Sequence, residues 1–190
     1  TNLIKFQIFF TSERAKLGEK EWEIFHGLTF DESGWEKVVD YSRRAGLSVL
    51  ADVYGYKSFQ LALDLEVDGF KIHSEDLLNS FFIRDVVESG KLTLVGIGGS
   101  KRKELYELCE FLTKSKGERS IVLMTGVQTF PTPIEAHSIY EIGELIEKYT
   151  NKYGVKIGFA DHVTGENEDA IALPLMALAK GAVLIEKHLT

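Results

Sequence analysis

The chain is poor in cysteine and in positive charge, and it lacks long apolar runs. Its one cysteine, Cys109, excludes a disulfide framework within one chain and is typical of a reducing cytoplasm, where we expect the protein to act. The 22 basic residues against 29 acidic ones give a net charge of −7, which argues against a nucleic-acid partner. No apolar run reaches the roughly 18 residues of a membrane span, so we expect no membrane partner.

What the chain does contain is a repeating alternation of short apolar runs and longer amphipathic ones. This rhythm is typical of parallel βα units, and 190 residues with 44% apolar content are enough for one well-cored domain. The predicted strands are Leu3–Phe10, Ser48–Tyr54, Gly69–His73, Leu92–Ile97, Ser120–Thr125, Val155–Ala160 and Ala182–Glu186. The predicted helices lie near Glu19–His26, Gly34–Ala45, Ser58–Val67, Asn79–Ser89, Lys101–Lys114, Ala136–Tyr153 and Asn167–Ala179, with turn glycines such as Gly117 and Gly154 between elements.

Seven parallel strands suit either a doubly wound open sheet or an eight-stranded barrel. An open sheet gathers its ligand residues at one switch point, whereas a barrel gathers them from most strand ends. Here the strand ends offer Lys5 and Gln7, Asp52, Lys71 with His73 and Ser74, Gly96 and Gly98, Thr125, Asp161 with His162, and Glu186 to His188. We therefore predict an α/β fold, a (β/α)8 TIM barrel. Because such barrels usually run to about 250 residues, residues 1–190 are expected to be one domain truncated at the N-terminus, with seven of eight strands and the first βα unit missing.

Two lysines lie within otherwise apolar strands, Lys5 and Lys71. A buried lysine is costly unless an anion accompanies it, so two lysines at one barrel mouth indicate a phosphate or carboxylate ligand. Pairing with Asp52 or Asp161 is the structural alternative, and a Schiff-base lysine is a third reading.

His162, next to Asp161, is the best candidate for a metal ligand or an acid–base group. Its partners would come from His73, His188, Asp76 or Glu186. His26 and His137 fall on predicted helices or loops, where we expect exposed positions.

The segment from Gln128 to Pro133 contains two of the three prolines and is expected to form a stiff βα loop. Such a loop can hold a sugar or a phosphate. Equally, Thr132 could cap a following helix with Pro133 at its first position. The glycines 96, 98 and 99 are a weak phosphate-binding signal.

Several motifs, taken in order, resemble the barrel domain of the N-acetylneuraminate (sialic acid) synthase family. They are Lys5–Gln7 (KFQ), Phe70–Asp76 (FKIHSED), the Gly98 turn, Phe130–Pro133 (FPTP), Gly158–Gly165 (GFADHVTG) and Gly181–Thr190 (GAVLIEKHLT). The resemblance covers almost the whole chain. Its most specific part is the pair DH-x-TG and GA-x-x-IEKH-x-T.

The resemblance implies a carbon–carbon bond-forming transferase. Such a barrel condenses phosphoenolpyruvate with an N-acyl-mannosamine-type sugar to a nine-carbon 2-keto sugar acid, with a divalent metal, Mn or Mg. The implied partners are phosphoenolpyruvate and an amino sugar, with a homodimer as one option. The family's C-terminal antifreeze-like domain, and its catalytic glutamate on the first barrel strand, are not expected within this chain.

The resemblance implies roles for Lys5, Lys71, Ser74, Asp76 and His162, and the placement of polar residues at strand ends and in loops adds the others. As catalytic residues we predict Asp76, Asp161, Glu186 and Lys187. As substrate-binding residues we predict Lys5, Gln7, Lys71, Ser74, Gly98, Thr132 and His188. As metal ligands we predict His162 and His73.

The chain also departs from the family pattern at three positions. Thr125 stands where the family has its other metal histidine, and His73 is the residue we expect to replace it. Asp52 stands where a Ser/Thr-Pro pair begins, and Gly96 replaces a serine. These departures support an alternative, a divergent and catalytically impaired barrel that serves as a ligand-binding or assembly module. A third hypothesis is a lyase or aldolase that uses Lys71 or Lys187 covalently.

Overall fold

The computed structural model describes residues 2–113 and 120–188, which form a seven-stranded, wholly parallel sheet. The strands follow one another in chain order, β1 to β7, so each new strand pairs with the previous one. They are β1 (Leu3–Ile8), β2 (Ser48–Val53), β3 (Gly69–Ile72), β4 (Leu92–Gly96), β5 (Ile121–Thr125), β6 (Lys156–Asp161) and β7 (Ile185–Lys187). Sequential parallel order is the order of a TIM barrel and not that of a doubly wound sheet, which confirms the predicted fold class.

Helices connect the strands on the outside of the sheet. They are α1 (Thr11–Arg14), α2 (Lys20–Leu28), α3 (Glu32–Arg44), α4 (Tyr56–Asp64), α5 (Ser80–Glu88), α6 (Arg102–Thr113), α7 (Glu141–Leu145), α8 (Asn151–Tyr153) and α9 (Ala172–Ala179). Side-chain caps fix the start of two of them: Asp31 accepts from the Gly34 N–H at the start of α3, and Asn79 accepts from the Phe82 N–H at the start of α5. Within the described residues, no helix is long and apolar enough to cross a membrane.

Alternation along each strand divides the side chains between two cores. On β2, Val49, Ala51 and Val53 face outward and belong to the large core beneath the helices. Leu50 faces the other way. It joins a separate apolar cluster inside the curled sheet, whose members are Leu50, Leu94, Val122, Met124 and Ala160, with Leu3, Leu92 and Leu184 packed against them. This inner cluster forms the floor on which the candidate site rests.

The strand predictions hold to within two residues at most ends, but the last strand and two helices differ. The last strand is assigned from Ile185, although bonds from Val183 N to Ile157 O and from Phe159 N to Leu184 O, 2.8 and 2.9 Å long, extend its pairing toward the predicted start. The predicted helix Ala136–Tyr153 is broken into a 3-10 turn (Ile134–Ala136), α7, a π-helical stretch (Ile146–Thr150) and α8. The helix predicted from Asn167 begins only at Ala172, after a 3-10 turn over Glu168–Ala170. Lys114 and Gly117 lie outside the described residues.

Candidate functional site

A pocket of about 160 Å³ lies at the carboxyl ends of the strands, directly above the inner apolar cluster. Most of its lining residues come from strand positions that share the inward direction of that cluster. They are Lys5, Gln7, Asp52, Lys71, His73, Ser74, Gly96, Met124, Gln128, Phe130, Ala160, His162, Glu186 and His188. A pocket smaller than the roughly 300–1,000 Å³ of usual ligand sites suits a small polar ligand.

Two lysines and two carboxylates form a cluster across this pocket. The Lys5 Nζ lies 2.9 Å from Asp52 Oδ2 and 3.6 Å from Glu186 Oε1. The Lys71 Nζ lies 2.7 Å from Glu186 Oε1 and 4.0 Å from Asp52 Oδ2. The sheet is therefore curled far enough for β7 to meet β1 and β3 through side chains.

All four side chains of this cluster are largely shielded from solvent, the Lys71 side chain being 8% exposed and that of Glu186 9%. Burial by itself would lower the pKa of Lys5, but Asp52 and Glu186 outweigh it, so the pKa is raised. Burial would raise the pKa of Glu186, but Lys5 and Lys71 outweigh that effect, so this pKa is lowered. Lys5 and Glu186 therefore both carry their charge at neutral pH.

Two carboxylate oxygens in the cluster, Asp52 Oδ1 and Glu186 Oε2, are buried and have no hydrogen-bond partner within the described part of the chain. A buried acceptor without a donor is costly. A hydroxyl, an ammonium or a metal ion placed beside either oxygen would provide the missing partner.

Glu186 also belongs to a second group, formed with His162 and His188, that could hold a metal ion. One ligand atom of each lies within 4.8 Å of the others. His162 Nδ1 lies against the carbonyl oxygen of Val127, which can only accept, so Nδ1 carries the proton and Nε2 keeps its lone pair for a ligand. Two imidazoles and a carboxylate with an unsatisfied oxygen are a donor set that suits a divalent metal.

The ring of Phe130 positions this group from the loop after β5. It stacks on His188 with centroids 4.6 Å apart, and the His188 and His162 rings lie 5.1 Å apart. Burial, together with the neighbouring His162, lowers the pKa of His188, which keeps its imidazole neutral. Neutral imidazole is the form that binds metals.

The second metal ligand that the sequence predicts, His73, lies in the same pocket but outside this group. Its ring stacks on Tyr54 with centroids 6.1 Å apart, and its Nδ1 lies 4.0 Å from a Glu75 carboxylate oxygen. The geometry places His188 beside His162, and the ligand role of His73 stays a prediction.

Two of the predicted catalytic residues, Asp161 and Lys187, lie on the other side of the sheet from the pocket. They are register partners on β6 and β7, and their side chains form an ion pair. Asp161 is fully buried and also accepts from the Val163 N–H at 2.9 Å. Because neighbouring strand residues point in opposite directions, His162 and Glu186 face the pocket while Asp161 and Lys187 do not. This geometry indicates a structural pair, and the catalytic role expected of both residues stays a prediction.

Other predicted site residues also lie outside the pocket. Asp76 is in the 3-10 turn Ser74–Asp76, where burial followed by the nearby Glu75 raises its pKa. Gly98 and Thr125 line a different cavity of about 660 Å³, between the β4–α6 turn and α7. At Gly98 a Cβ would come within 2.1 Å of the Gly126 carbonyl oxygen, so the glycine is a packing requirement there.

Thr132 is buried and holds the loop after β5 against the end of β6. Its N–H donates to the His162 carbonyl at 2.9 Å, and its hydroxyl donates to the carbonyl of Thr129. It neither lines the pocket nor caps a helix, and Pro133 precedes only the 3-10 turn Ile134–Ala136. Its effect on the site is indirect, through the backbone of a candidate metal ligand.

The sequence interpretation missed Gln128, Phe130 and Met124, which line the pocket. The loop that carries Gln128 and Phe130 was recognised as a candidate ligand loop, but nothing in the sequence singles out these positions. His137 was expected on the surface, whereas both of its ring nitrogens are buried and its ring packs edge-on against Phe159 with centroids 5.5 Å apart. Burial lowers the His137 pKa.

Comparison with known proteins finds relatives of this chain. A family model described as the NeuB family matches residues 3–190. An uncharacterised protein of Methanocaldococcus jannaschii is 27% identical over 187 residues, which cover 98% of this chain and 52% of that protein. The pseudaminic acid synthase of Campylobacter jejuni is 25% identical over 169 residues, which cover 89% of this chain and 46% of the enzyme.

A solved structure agrees with the fold. The N-acetylneuraminic acid (sialic acid) synthetase of Leptospira borgpetersenii, in complex with citrate, matches with a TM-score of 0.85 at 24% identity, over 100% of this chain and 62% of that chain. At this identity the likeness establishes the fold alone. The chain spans about half the length of the curated relatives it matches.

Proposed function

The chain belongs to the NeuB family, and on that premise we propose that it forms the barrel of a synthase that condenses phosphoenolpyruvate with an N-acyl-mannosamine-type sugar. The products are a 2-keto sugar acid of the nonulosonic type, with nine carbons, and inorganic phosphate. One observation carries the proposal: Lys5, Lys71 and the His162–Glu186–His188 group line a single pocket at the mouth of the barrel.

The lysines supply the charge that phosphoenolpyruvate requires. Lys5 and Lys71 present ammonium groups from neighbouring sides of the pocket, where they can bind the phosphate or the carboxylate. Gln7 and Ser74 line the same region and offer hydrogen-bond donors to the remaining oxygens. In this arrangement the three-carbon substrate lies on the β1–β3 side of the pocket.

The group of His162, Glu186 and His188 would hold the metal. His162, Glu186 and His188 would bind Mn or Mg, and such an ion supplies Lewis-acid polarisation of the sugar aldehyde. The protein's own part is to hold His162 by its Nδ1 proton on Val127 and to hold His188 under Phe130. Both contacts fix the rings before a ligand arrives.

The bond changes of the proposed reaction are those of a phosphoenolpyruvate condensation. The electron pair of the C2=C3 double bond of phosphoenolpyruvate forms the bond from C3 to the aldehyde carbon of the open-chain sugar, and the aldehyde oxygen takes up a proton to become a hydroxyl. Water adds at the electron-deficient C2, and the bond between C2 and the phosphate oxygen then breaks, so C2 becomes the keto carbon. The two protons of the water balance those on the new hydroxyl and on the departing phosphate. With Lys5 and Lys71 at the phosphate, the departing charge is stabilised by groups that are already in place.

A divergent barrel that binds its ligand without turnover is the second candidate. Thr125, at the position expected for a metal histidine, lines the larger cavity and contributes nothing to the pocket. Gly96 offers no hydroxyl there. Cytoplasmic location and a homodimer belong to the proposal as well, and light scattering would check the second.

Phosphate release from phosphoenolpyruvate tests the proposed function. The full-length protein is assayed with manganese and a panel of N-acyl-hexosamines, with Lys71→Met as the inactive comparison. Release that needs both the sugar and Lys71 supports the synthase. Absence of release, with calorimetric binding of phosphoenolpyruvate retained, supports the binding module instead.

A further inference from the structure

Asp52 is a buried carboxylate at the end of β2, and the proposed reaction assigns it no task. Its side chain is 1% exposed, and its Oδ2 lies 2.9 Å from the Lys5 Nζ and 4.0 Å from the Lys71 Nζ. Its Oδ1 has no hydrogen-bond partner among the described residues. Asp52 thus places a negative charge on the two lysines that an anionic ligand would use.

The formal charges of the pocket cancel. Lys5 and Lys71 contribute two positive charges, and Asp52 and Glu186 contribute two negative ones. An anion that enters the pocket therefore meets ammonium groups that already have partners. Since these groups are shielded from water and salt, their mutual interactions are stronger than those of exposed pairs.

Of the two carboxylates, Asp52 has fewer alternative contacts. Glu186 belongs to the His162–Glu186–His188 group, so its carboxylate has a second set of partners within reach. Asp52 is short, and it sits on a strand whose neighbours Ala51 and Val53 are fully buried. Its charge stays at Lys5 whatever binds on the other side of the pocket.

Resting on the proposed function, we propose that Asp52 determines the affinity and specificity of the anion site, as a built-in counter-anion that competes with phosphate or carboxylate ligands for Lys5 and Lys71. An anion with a single negative charge does not displace the Asp52 carboxylate from the two lysines. A dianionic phosphate can do so, because it offers more charge and more acceptor oxygens to the two ammonium groups. Removal of the Asp52 charge then makes the site less selective and tighter for phosphate.

A purely structural role for Asp52 predicts no gain in phosphate affinity. If Asp52 only holds the lysines in position, its loss leaves them misplaced, and phosphate binds more weakly or equally well. The sign of the change in phosphate affinity therefore separates the two roles, whatever happens to the stability of the fold.

The test is calorimetric titration of the full-length protein with inorganic phosphate, in the absence of sugar. The variants are Asp52→Asn and Asp52→Ser, and the matched control is Asp161→Asn, a buried strand-end carboxylate outside the pocket. We expect both variants at position 52 to bind phosphate at least about tenfold more tightly than the wild type, and the control to stay within about twofold.

Unchanged or weaker phosphate binding by the folded variants, or no phosphate binding by any of the proteins, would overturn the counter-anion role. The serine variant decides the matter if the asparagine variant does not fold. Failure of the proposed function would give a different result from failure of the counter-anion role. If the wild type never releases phosphate from phosphoenolpyruvate but the Asp52 variants bind phosphate more tightly, the synthase is wrong and the counter-anion stands.

Discussion

The Lys71 Nζ and the Glu186 Oε1 lie 2.7 Å apart although 115 positions separate the two residues in the chain. The pair joins β3 to β7 across the inside of the curled sheet. A contact between strands so far apart in the sheet is possible because the sheet is strongly curled. It joins the lysine cluster to the His162–Glu186–His188 group through Glu186.

Loss of the Glu186 charge should destabilise the fold. Glu186→Gln leaves Lys71 without its nearest anion in a buried position, and breaking such a pair costs about 3 kcal/mol. Urea unfolding measures the effect. Glu107→Gln is the control, because it breaks an exposed pair with Lys103 and should change stability by less than about 0.5 kcal/mol. Equal effects of the two substitutions would show that the Glu186 pair is not buried in solution.

Manganese binding should depend on His188 and not on His73. His162→Asn and His188→Asn are each expected to weaken Mn²⁺ binding by at least about tenfold, since groups around a bound metal commonly contribute that much. His73→Ala should stay within about twofold. Electron paramagnetic resonance of free manganese measures all three. A large loss of Mn²⁺ affinity in His73→Ala would show that His73 is a metal ligand, as the sequence predicts.

The free energy of unfolding should change little near neutral pH and should fall at both acid and alkaline pH. The pKa of Glu186 is lowered, so its contribution is present above the ordinary value of 4.5 and is lost as pH falls through the folded-state pKa. The pKa of Lys5 is raised, so its contribution is present below 10.5 and is lost as pH rises through the folded-state pKa. Urea unfolding across pH should show a smaller fall at acid pH in Glu186→Gln. An unchanged fall at acid pH in that variant would assign the acid sensitivity to other carboxylates.

Asp161→Asn should affect stability more than activity. Asp161 is fully buried and accepts from Val163 N and Lys187 Nζ, so its loss should cost about 1–3 kcal/mol. Because the side chain points away from the pocket, the rate of phosphate release per folded molecule should change by less than about threefold. Thermal unfolding and the phosphate assay measure the two quantities. A variant that is stable but inactive would show that Asp161 has the catalytic role predicted from the sequence.

The fold was predictable from the sequence because parallel βα units leave a strong local signal. Apolar runs, amphipathic stretches and turn glycines gave every strand of the described sheet. The broken helix after Pro133 left no such signal, because the π-helical stretch Ile146–Thr150 keeps the amphipathic pattern of a regular helix.

Only part of the site could be predicted from the sequence, because the parallel strands are buried on both of their faces. On β5 both faces are apolar, with Leu123 in the outer core and Met124 in the inner one. Without a polar face the sequence does not tell which alternate residues point inward. Hence Asp161 could not be separated from His162, nor could Thr125 be assigned to the larger cavity. The His162–Glu186–His188 group depends on β6–β7 pairing and on the Phe130 loop, which only the structure supplies.

The most direct measurement of the central claim is the product of a reaction that contains phosphoenolpyruvate, an N-acyl-mannosamine-type sugar, manganese and the full-length protein. The account predicts equimolar inorganic phosphate and a nine-carbon 2-keto sugar acid, identified by mass spectrometry, with both lost in Lys71→Met and in His162→Asn. Phosphate release that does not require the sugar, or no release with any sugar of the panel, would contradict it.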